Sequence, residues 1–340
     1  MIRNTYGLDL GTYEIKVYDK KNDAIWKEKN VIAMQNGKYI FSVGDEAYEM
    51  YEKAPSNIQV VFPMKEGVIS RFDDMQYLLQ NLLKKEQKFA RGSEYVIAVP
   101  TDVTEVEKRA FYDLVYHSTA KAKEVNIVER GIAAAVGLGL DVKKEKGIFI
   151  ADFGGETTEL SVLSSGGIVL NRLVKTGGVH LDMAVANLVR RNRDFLIGRL
   201  TSEVLRREFG VFDQSNEASL KVAGRNLITG VPQQQEIPIG LVRAAIKEPL
   251  EECVRAIQSM IDRMPPDVRR IVQVKGLYLT GGLANLRGLN TYLEETTGLT
   301  VRTANNPDIC AVEGLKRIIQ NKDLKKLTYS MLDEDYRWLR

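Results

Sequence analysis

Tyr6-Gly-Leu-Asp-Leu-Gly-Thr-Tyr-Glu-Ile-Lys16, near the start of the chain, has a counterpart in Ile148-Phe-Ile-Ala-Asp-Phe-Gly-Gly-Glu-Thr-Thr158. In each, an apolar run carries an aspartate to the end of a predicted strand, and small residues then turn the backbone so that N–H groups and a hydroxyl face outward. Two such turns suit a metal-bound polyphosphate: a side chain at Gly11, Gly154 or Gly155 would hold the backbone away from phosphate oxygens whose charge the N–H dipoles offset. Each segment alone also reads as an ordinary hairpin with an aspartate at its turn. Their recurrence, with Asp9 and Asp152 each after a strand in its own half, predicts an internally duplicated chain.

A chain of 340 residues exceeds the size at which one core keeps growing, so two lobes are expected, with a ligand cleft between them. The 48 basic and 45 acidic residues leave a net charge of +3, which gives no sign of a nucleic-acid partner. Two cysteines, Cys253 and Cys310, and two histidines, His117 and His180, supply neither a zinc set nor a disulfide framework. Strand residues begin within about five positions of Met1, which predicts no signal peptide, and no apolar run approaches the roughly 20 residues of a membrane span. These features predict a cytoplasmic location.

Residues 5–34 read as strands, Asn36-Gly37 as a tight turn, and residues 39–43 as the next strand. Met75, Leu78, Leu79, Leu82 and Leu83 have helical spacing within 71–85, and residues 95–99 form a buried strand ending at Pro100. Thr104 and Glu107 fit a capping box that opens a helix running to about Thr119. A strand at 125–128 and a small-residue helix at 130–140 follow, and this alternation indicates an α/β fold. The charged turn at 143–146 marks a lobe boundary. Beyond it come strands at 147–152, 159–164 and 167–174, helices near 179–192 and 200–209, and a long helix at 239–263 stopped by Pro265-Pro266. A buried strand at 277–280 then runs into Gly281-Gly282.

Taken in order, Asp9-Leu-Gly-Thr12, Glu129, Asp152-Phe-Gly-Gly155, Glu203-x-x-Arg206 and Leu279-Thr-Gly-Gly-Leu-Ala284 resemble the actin and heat-shock-chaperone ATPase superfamily. Within it the chain resembles the MreB family of bacterial actins across roughly residues 5–320. That likeness extends outside the nucleotide loops, at residues 43–47, 63–69, 99–110, 177–178, 189–192 and 224–232. It implies an actin-like ATPase fold of two duplicated lobes around a nucleotide cleft. The first lobe would be 1–142, with a small subdomain at about 31–64, completed by 310–325. The second would be 143–309, with a subdomain at about 181–234, and 326–340 would form a tail. The implied function is an ATP-binding, filament-forming cytoskeletal protein that organises cell shape and cell-wall synthesis, with slow hydrolysis.

The resemblance assigns residues as follows. Asp9 and Asp152 hold Mg2+ through its waters, which suits a cation that dehydrates reluctantly. Gly11, Thr12 and the following backbone at Tyr13 cradle the β-phosphate, while Gly154, Gly155, Glu156 and Thr157 face the γ-phosphate. Lys16 stands where actins keep a phosphate-binding lysine, though it reads equally as a solvent-facing strand lysine. Glu129 would orient the attacking water, since phosphoanhydride hydrolysis is mostly positioning and charge neutralisation; Arg130 follows it in place of the usual proline. Glu203 and Arg206 would flank the ribose and adenine, or form a plain ion pair, and Gly281, Gly282 and Leu283 would pass beneath the nucleoside.

Two departures bear on activity. Glu156 replaces a third glycine, and at about 4 Å from the γ-phosphate with an effective dielectric near 20 an inward carboxylate would cost on the order of 4 kcal/mol. Leu283 replaces a glycine and narrows the adenine site. Together they leave open a degenerate scaffold that binds nucleotide weakly. A small-molecule kinase would need a catalytic aspartate that is not evident. The implied partners are further copies of the chain, head to tail, the inner face of the cytoplasmic membrane and cell-wall synthesis proteins. For the membrane, Phe89 with Lys84, Lys85, Lys88 and Arg91 is the first candidate, each basic residue contributing roughly 1 kcal/mol at an anionic surface; the tail from Leu327 to Trp338 is the second.

Overall fold

A computed structural model describes residues 4–85, 92–118, 122–209 and 218–332. The Phe89 segment and the last part of the tail lie outside the described residues. In chain order the first elements are β1 (Thr5–Leu10), β2 (Glu14–Asp19), β3 (Ala24–Lys29), β4 (Ile32–Gln35), β5 (Tyr39–Val43), α1 (Asp45–Glu49), β6 (Ile58–Val61), β7 (Met64–Lys65), β8 (Val68–Ile69) and α2 (Phe72–Lys85). Then come β9 (Glu94–Val99), α3 (Glu105–Tyr116), β10 (Glu124–Glu129), α4 (Arg130–Gly137), β11 (Ile148–Phe153), β12 (Thr158–Ser164), β13 (Gly167–Val174), α5 (Gly178–Arg193), β14 (Phe195–Leu196) and α6 (Arg199–Phe209). The remainder is β15 (Ser219–Asn226), β16 (Pro232–Pro238), α7 (Ile239–Arg263), α8 (Pro266–Lys275), β17 (Leu277–Thr280), α9 (Leu289–Thr297), β18 (Val301–Thr303), α10 (Cys310–Gln320) and α11 (Lys322–Lys325).

The chain divides into two compact units, one of Met1–Ile150, Ser161–Leu173 and Ile309–Arg340, the other of Ala151–Leu160 and Val174–Asp308. The charged turn 143–146 lies within the first of these units. Ser161–Leu173 belongs with the first unit because Gly131 packs on Ser161, the Ser165 amide donates to the Glu145 carbonyl, and the Leu173 amide donates to the Asp102 carboxylate.

The first unit is built on a five-stranded sheet in the order β10-β9-β1-β2-β3. Strand β1 runs antiparallel to β2 and parallel to β9, which is parallel to β10. Successive side chains point to opposite faces. Leu8, Ile97 and Ile127 are in register and share one apolar cluster with Tyr6, Leu10 and Val125. The same cluster takes Met75, Leu78, Leu79, Leu82 and Leu83, the stripe that the helical spacing predicted for α2, together with Phe111 and Leu114 of α3. Helix α3 opens with the expected capping box, Thr104 and Glu107 each satisfying the other's amide.

The opposite face of this sheet carries Gly7 and Asp9, and α10 lies against it: a Cβ on Gly7 would come 2.9 Å from the Leu315 Cβ. Helix α10 also crosses α4 at backbone distance. A Cβ on Gly314 would fall 1.8 Å from the Ala133 carbonyl oxygen, and one on Gly137 would fall 2.0 Å from that of Cys310. Only glycine permits that approach. A three-stranded sheet, β5-β4-β6, carries its own small cluster of Val31, Ala33 and Ala47.

A second five-stranded sheet has the order β13-β12-β11-β17-β18, with β17 parallel to β18. In the second unit, α7 runs 25 residues despite Pro249 and ends before Pro265 as its sequence predicts, with Pro266 opening α8. Strands β14, β15 and β16 form a three-stranded sheet. Among the described residues no helix is long and apolar enough to cross a membrane.

Candidate functional site

The turn after β1 is tightly fixed. Gly11 N–H donates to the Glu14 carbonyl at 3.2 Å, and the Asn30 side-chain amide donates to the Gly11 carbonyl at 2.8 Å. A Cβ at Gly11 would lie 2.7 Å from that Glu14 oxygen, so glycine is required for the turn as well as for ligand approach. Thr12 is buried, its hydroxyl accepting the Gly67 N–H at 3.2 Å. The ring of Tyr13 turns away to meet the Tyr48 hydroxyl at 2.9 Å beneath the Lys29 ammonium, which leaves its backbone as the part able to serve a phosphate.

Asp9, buried at the end of β1, is shared by two cations. Arg130 Nε donates to Oδ1 at 3.2 Å, and Lys16 Nζ stands 3.6 Å from Oδ2. The same guanidinium donates to the Leu10 carbonyl at 3.2 Å, which ties α4 to the turn. Lys16 is therefore not a solvated strand lysine: its ammonium sits below the turn, 3.9 Å from where a Gly11 Cβ would be.

Glu129 is not brought to this place. Asp9, Ala98 and Val128 are in register across β1, β9 and β10, so Val128 shares the face of Asp9 and Glu129 points to the other. There its carboxylate accepts the Tyr329 hydroxyl at 2.8 Å. The next residue, Arg130, takes the position facing Asp9.

In the second unit the turn after β11 closes with Gly154 N–H on the Thr157 carbonyl at 2.8 Å. The carbonyls of Gly154 and Gly155 accept Gly178 N–H and Val179 N–H, so the start of α5 holds the turn from behind. Thr157 is buried, and Glu156 is half-buried beside Gly177, whose Cβ would fall 2.7 Å from the Glu156 carbonyl carbon. Asp152 Oδ2 accepts the Thr280 hydroxyl at 3.1 Å. Gly281, at φ +87, lies so close to the Phe153 carbonyl and the Asp152 carboxylate that no Cβ fits; Gly282 begins a short 3-10 turn and Leu283 is buried.

Arg206 is buried and forks onto Asp182 at 2.6 and 3.3 Å, with one nitrogen 3.4 Å from a Cβ position on Gly178. Glu203 pairs with Arg207 at 2.5 Å. Arg206 thus braces the start of α5 rather than reaching outward. Sequence reasoning missed Asn30, Gly67 and Asp182, which hold the turns and carry no motif of their own.

The donor set fits a hydrated Mg2+ poorly at Asp9. Both of its carboxylate oxygens face protein cations, and a dication there would be repelled by each. Among the described residues no three histidine, cysteine or acidic groups gather into a metal cluster.

Two glycine turns, each following an aspartate on a five-stranded sheet, define an actin-like ATPase fold. Solved structures of MreB5 from Spiroplasma citri match it closely: the ADP-bound form has a TM-score of 0.89 at 26% identity, covering 96% of this chain and 98% of that one. The AMPPNP-bound form gives 0.88 at 27% identity. A MamK double helical filament shares the fold, with a TM-score of 0.79 at 18% identity. Residues 3–327 match the family model described as MreB/Mbl protein, and the chain belongs to that family. It is 35% identical over 333 residues to the cell shape-determining protein MreB of Escherichia coli, covering 95% of each, and 30% identical over 327 residues to Mbl of Bacillus subtilis, covering 95% of this chain and 98% of that protein.

Proposed function

We propose that this protein binds ATP through the turns after β1 and β11 and assembles head to tail into filaments that organise cell shape and wall synthesis at the membrane surface. The observation that carries the reading is the pair of fixed, glycine-built turns at Gly11 and Gly154–Gly155, in a chain whose structural relatives hold ADP and AMPPNP. Heterologous contacts that do not close into a ring give filaments. Gly11, Thr12 and the Tyr13 backbone serve the β-phosphate; Gly154, Gly155 and Thr157 serve the γ-phosphate. Gly281, Gly282 and Leu283 border the nucleoside. Hydrolysis is slow, because the glutamate of the β10–α4 junction is turned to Tyr329.

The test combines thermal melting with electron microscopy of purified protein. Millimolar ATP should raise the melting temperature, since a ligand selective for the folded state adds RT ln(1 + [L]/Kd), and filaments should form on anionic vesicles. No melting shift and no filaments would leave only a scaffold that uses the fold without the nucleotide.

A further inference from the structure

The turn between β15 and β16 is an exposed apolar tip beside an arginine-rich helix end, and all of it lies in the second unit. Ile228 is 79% exposed, Val231 56%, Leu196 44% and Leu227 43%. Leu196 and Arg225 are in register on β14 and β15, so both stand on the outer face, while Phe195 turns inward and is buried. The Leu227 amide donates to the Asp194 carbonyl at 2.8 Å, which sets the tip against the end of α5, where Arg190, Arg191 and Arg193 are exposed. Four arginines stand here with one aspartate, a surplus of three that equals the net charge of the whole chain. Among the described residues none of the four arginines is in an ion pair.

The backbone of the tip is a second, independent observation. A loop in water has no need to pair its own amides, because solvent does so, yet every amide from Leu227 to Val231 is paired inside the protein. Besides the Leu227 bond, the Asn226 side-chain oxygen accepts from Ile228 and Thr229 at 2.9 Å each, the Asn226 carbonyl accepts from Gly230 at 2.9 Å, and the Thr229 hydroxyl accepts from Val231 at 3.4 Å. The Arg225 guanidinium donates to the Gly230 carbonyl at 2.9 Å and closes the loop. Amides paired in this way need no water, the condition that any segment entering hydrocarbon must meet. Building on the reading that this protein works at a membrane surface, we propose that the β15–β16 tip is a lipid-inserting wedge, with Leu227, Ile228 and Val231 entering an anionic leaflet and the four arginines holding its headgroup phosphates. Guanidinium forks match phosphate oxygens, and an anionic leaflet attracts a local basic surplus. The tip projects from the end of a two-stranded ribbon, so a protein partner would need an apolar socket shaped to it, whereas a bilayer needs none.

The experiment floats the full chain, with ATP, on vesicles of equal parts phosphatidylglycerol and phosphatidylcholine; flotation separates lipid-bound protein from free filaments, which sink. The parent should float with these vesicles and much less with phosphatidylcholine alone. Ile228→Asp should weaken binding at least about tenfold, and Arg191→Gln with Arg193→Gln at least about fivefold. All three side chains are exposed, so the variants should keep the parent's melting temperature and still form filaments. A second readout uses Ile228→Cys carrying an environment-sensitive dye: Cys253 and Cys310 are buried, so the new thiol is the accessible one, and its emission should shift to the blue on anionic vesicles. Flotation of both variants equal to the parent's, or a dye that does not shift, would overturn the proposal. Loss of filaments by I228D in the absence of lipid would also overturn it, since the tip would then join copies of the chain. A parent that floats with neither vesicle would overturn the membrane reading itself, and this proposal with it.

Discussion

The Tyr329 hydroxyl donates to a Glu129 carboxylate oxygen at 2.8 Å while the Tyr329 backbone exchanges two hydrogen bonds with Ile127, at 2.8 and 3.0 Å. Strand β10 is the edge of its sheet, and residues 328–331 cover part of that edge, with Tyr329 and Met331 against the apolar cluster. They lie just beyond the stretch matched by the family model. An uncovered edge is a template for unwanted pairing.

Removing the hydroxyl should cost about 1.5–3 kcal/mol, the usual range for a hydrogen bond to a charged group. Y329F is therefore expected to unfold at lower urea than the parent. Phosphate release by E129Q should stay within about twofold of the parent, which corresponds to less than roughly 0.5 kcal/mol of barrier. A drop of tenfold or more would return Glu129 to the chemistry.

The α4–α10 crossing should be intolerant of any side chain. Gly314→Ala would drive a methyl into the Ala133 carbonyl, and a cost above about 3 kcal/mol is expected from overpacking of this kind. Chemical denaturation checks it. Gly240, where a Cβ meets nothing within 4 Å, is the control: G240A should be neutral or slightly stabilising.

Alkaline pH offers a third measurement. Tyr18 is buried and donates to Asp23 at 3.0 Å; burial first, then that hydrogen bond, push its hydroxyl up from 10.0 to about 12. The folded state holds this proton more tightly than the unfolded chain does. Its contribution is therefore complete below pH 10 and falls away as pH rises through about 12. Urea midpoints measured between pH 9 and about pH 12 should fall, and Y18F should fall less steeply; equal slopes would mean that Tyr18 ionises as easily folded as unfolded.

Much of the fold could be read from pattern. The capping box at Thr104, the apolar stripe of α2 and the proline stop after α7 are local signals, and each element formed where its signal lies. Glu129 and Arg130 were not separable in the same way. A one-residue step along a strand exchanges its two faces, and Val125–Val128 is buried on both, so no alternation of polar and apolar residues marked which side faces Asp9. Arg206 shows a related limit: helical spacing with Glu203 puts two charges on one face, whereas the buried Asp182 that pairs with the arginine is 24 residues away in sequence. Long-range polar partners leave no trace in local periodicity.

The placement of α10 has a consequence for synthesis. The first unit takes this helix from residues 310–320, and its glycine crossing with α4 cannot form until they have left the ribosome. The second unit, most of which is the continuous stretch 174–308, is complete earlier. The part of the molecule translated first is thus finished last, and the Gly7 part of its sheet waits for α10 while more than a hundred residues emerge. At elongation rates of about 5–20 residues per second that wait lasts on the order of ten seconds, which makes nascent chains a natural client of chaperones and makes any fusion or truncation upstream of Cys310 a poor substitute for the whole.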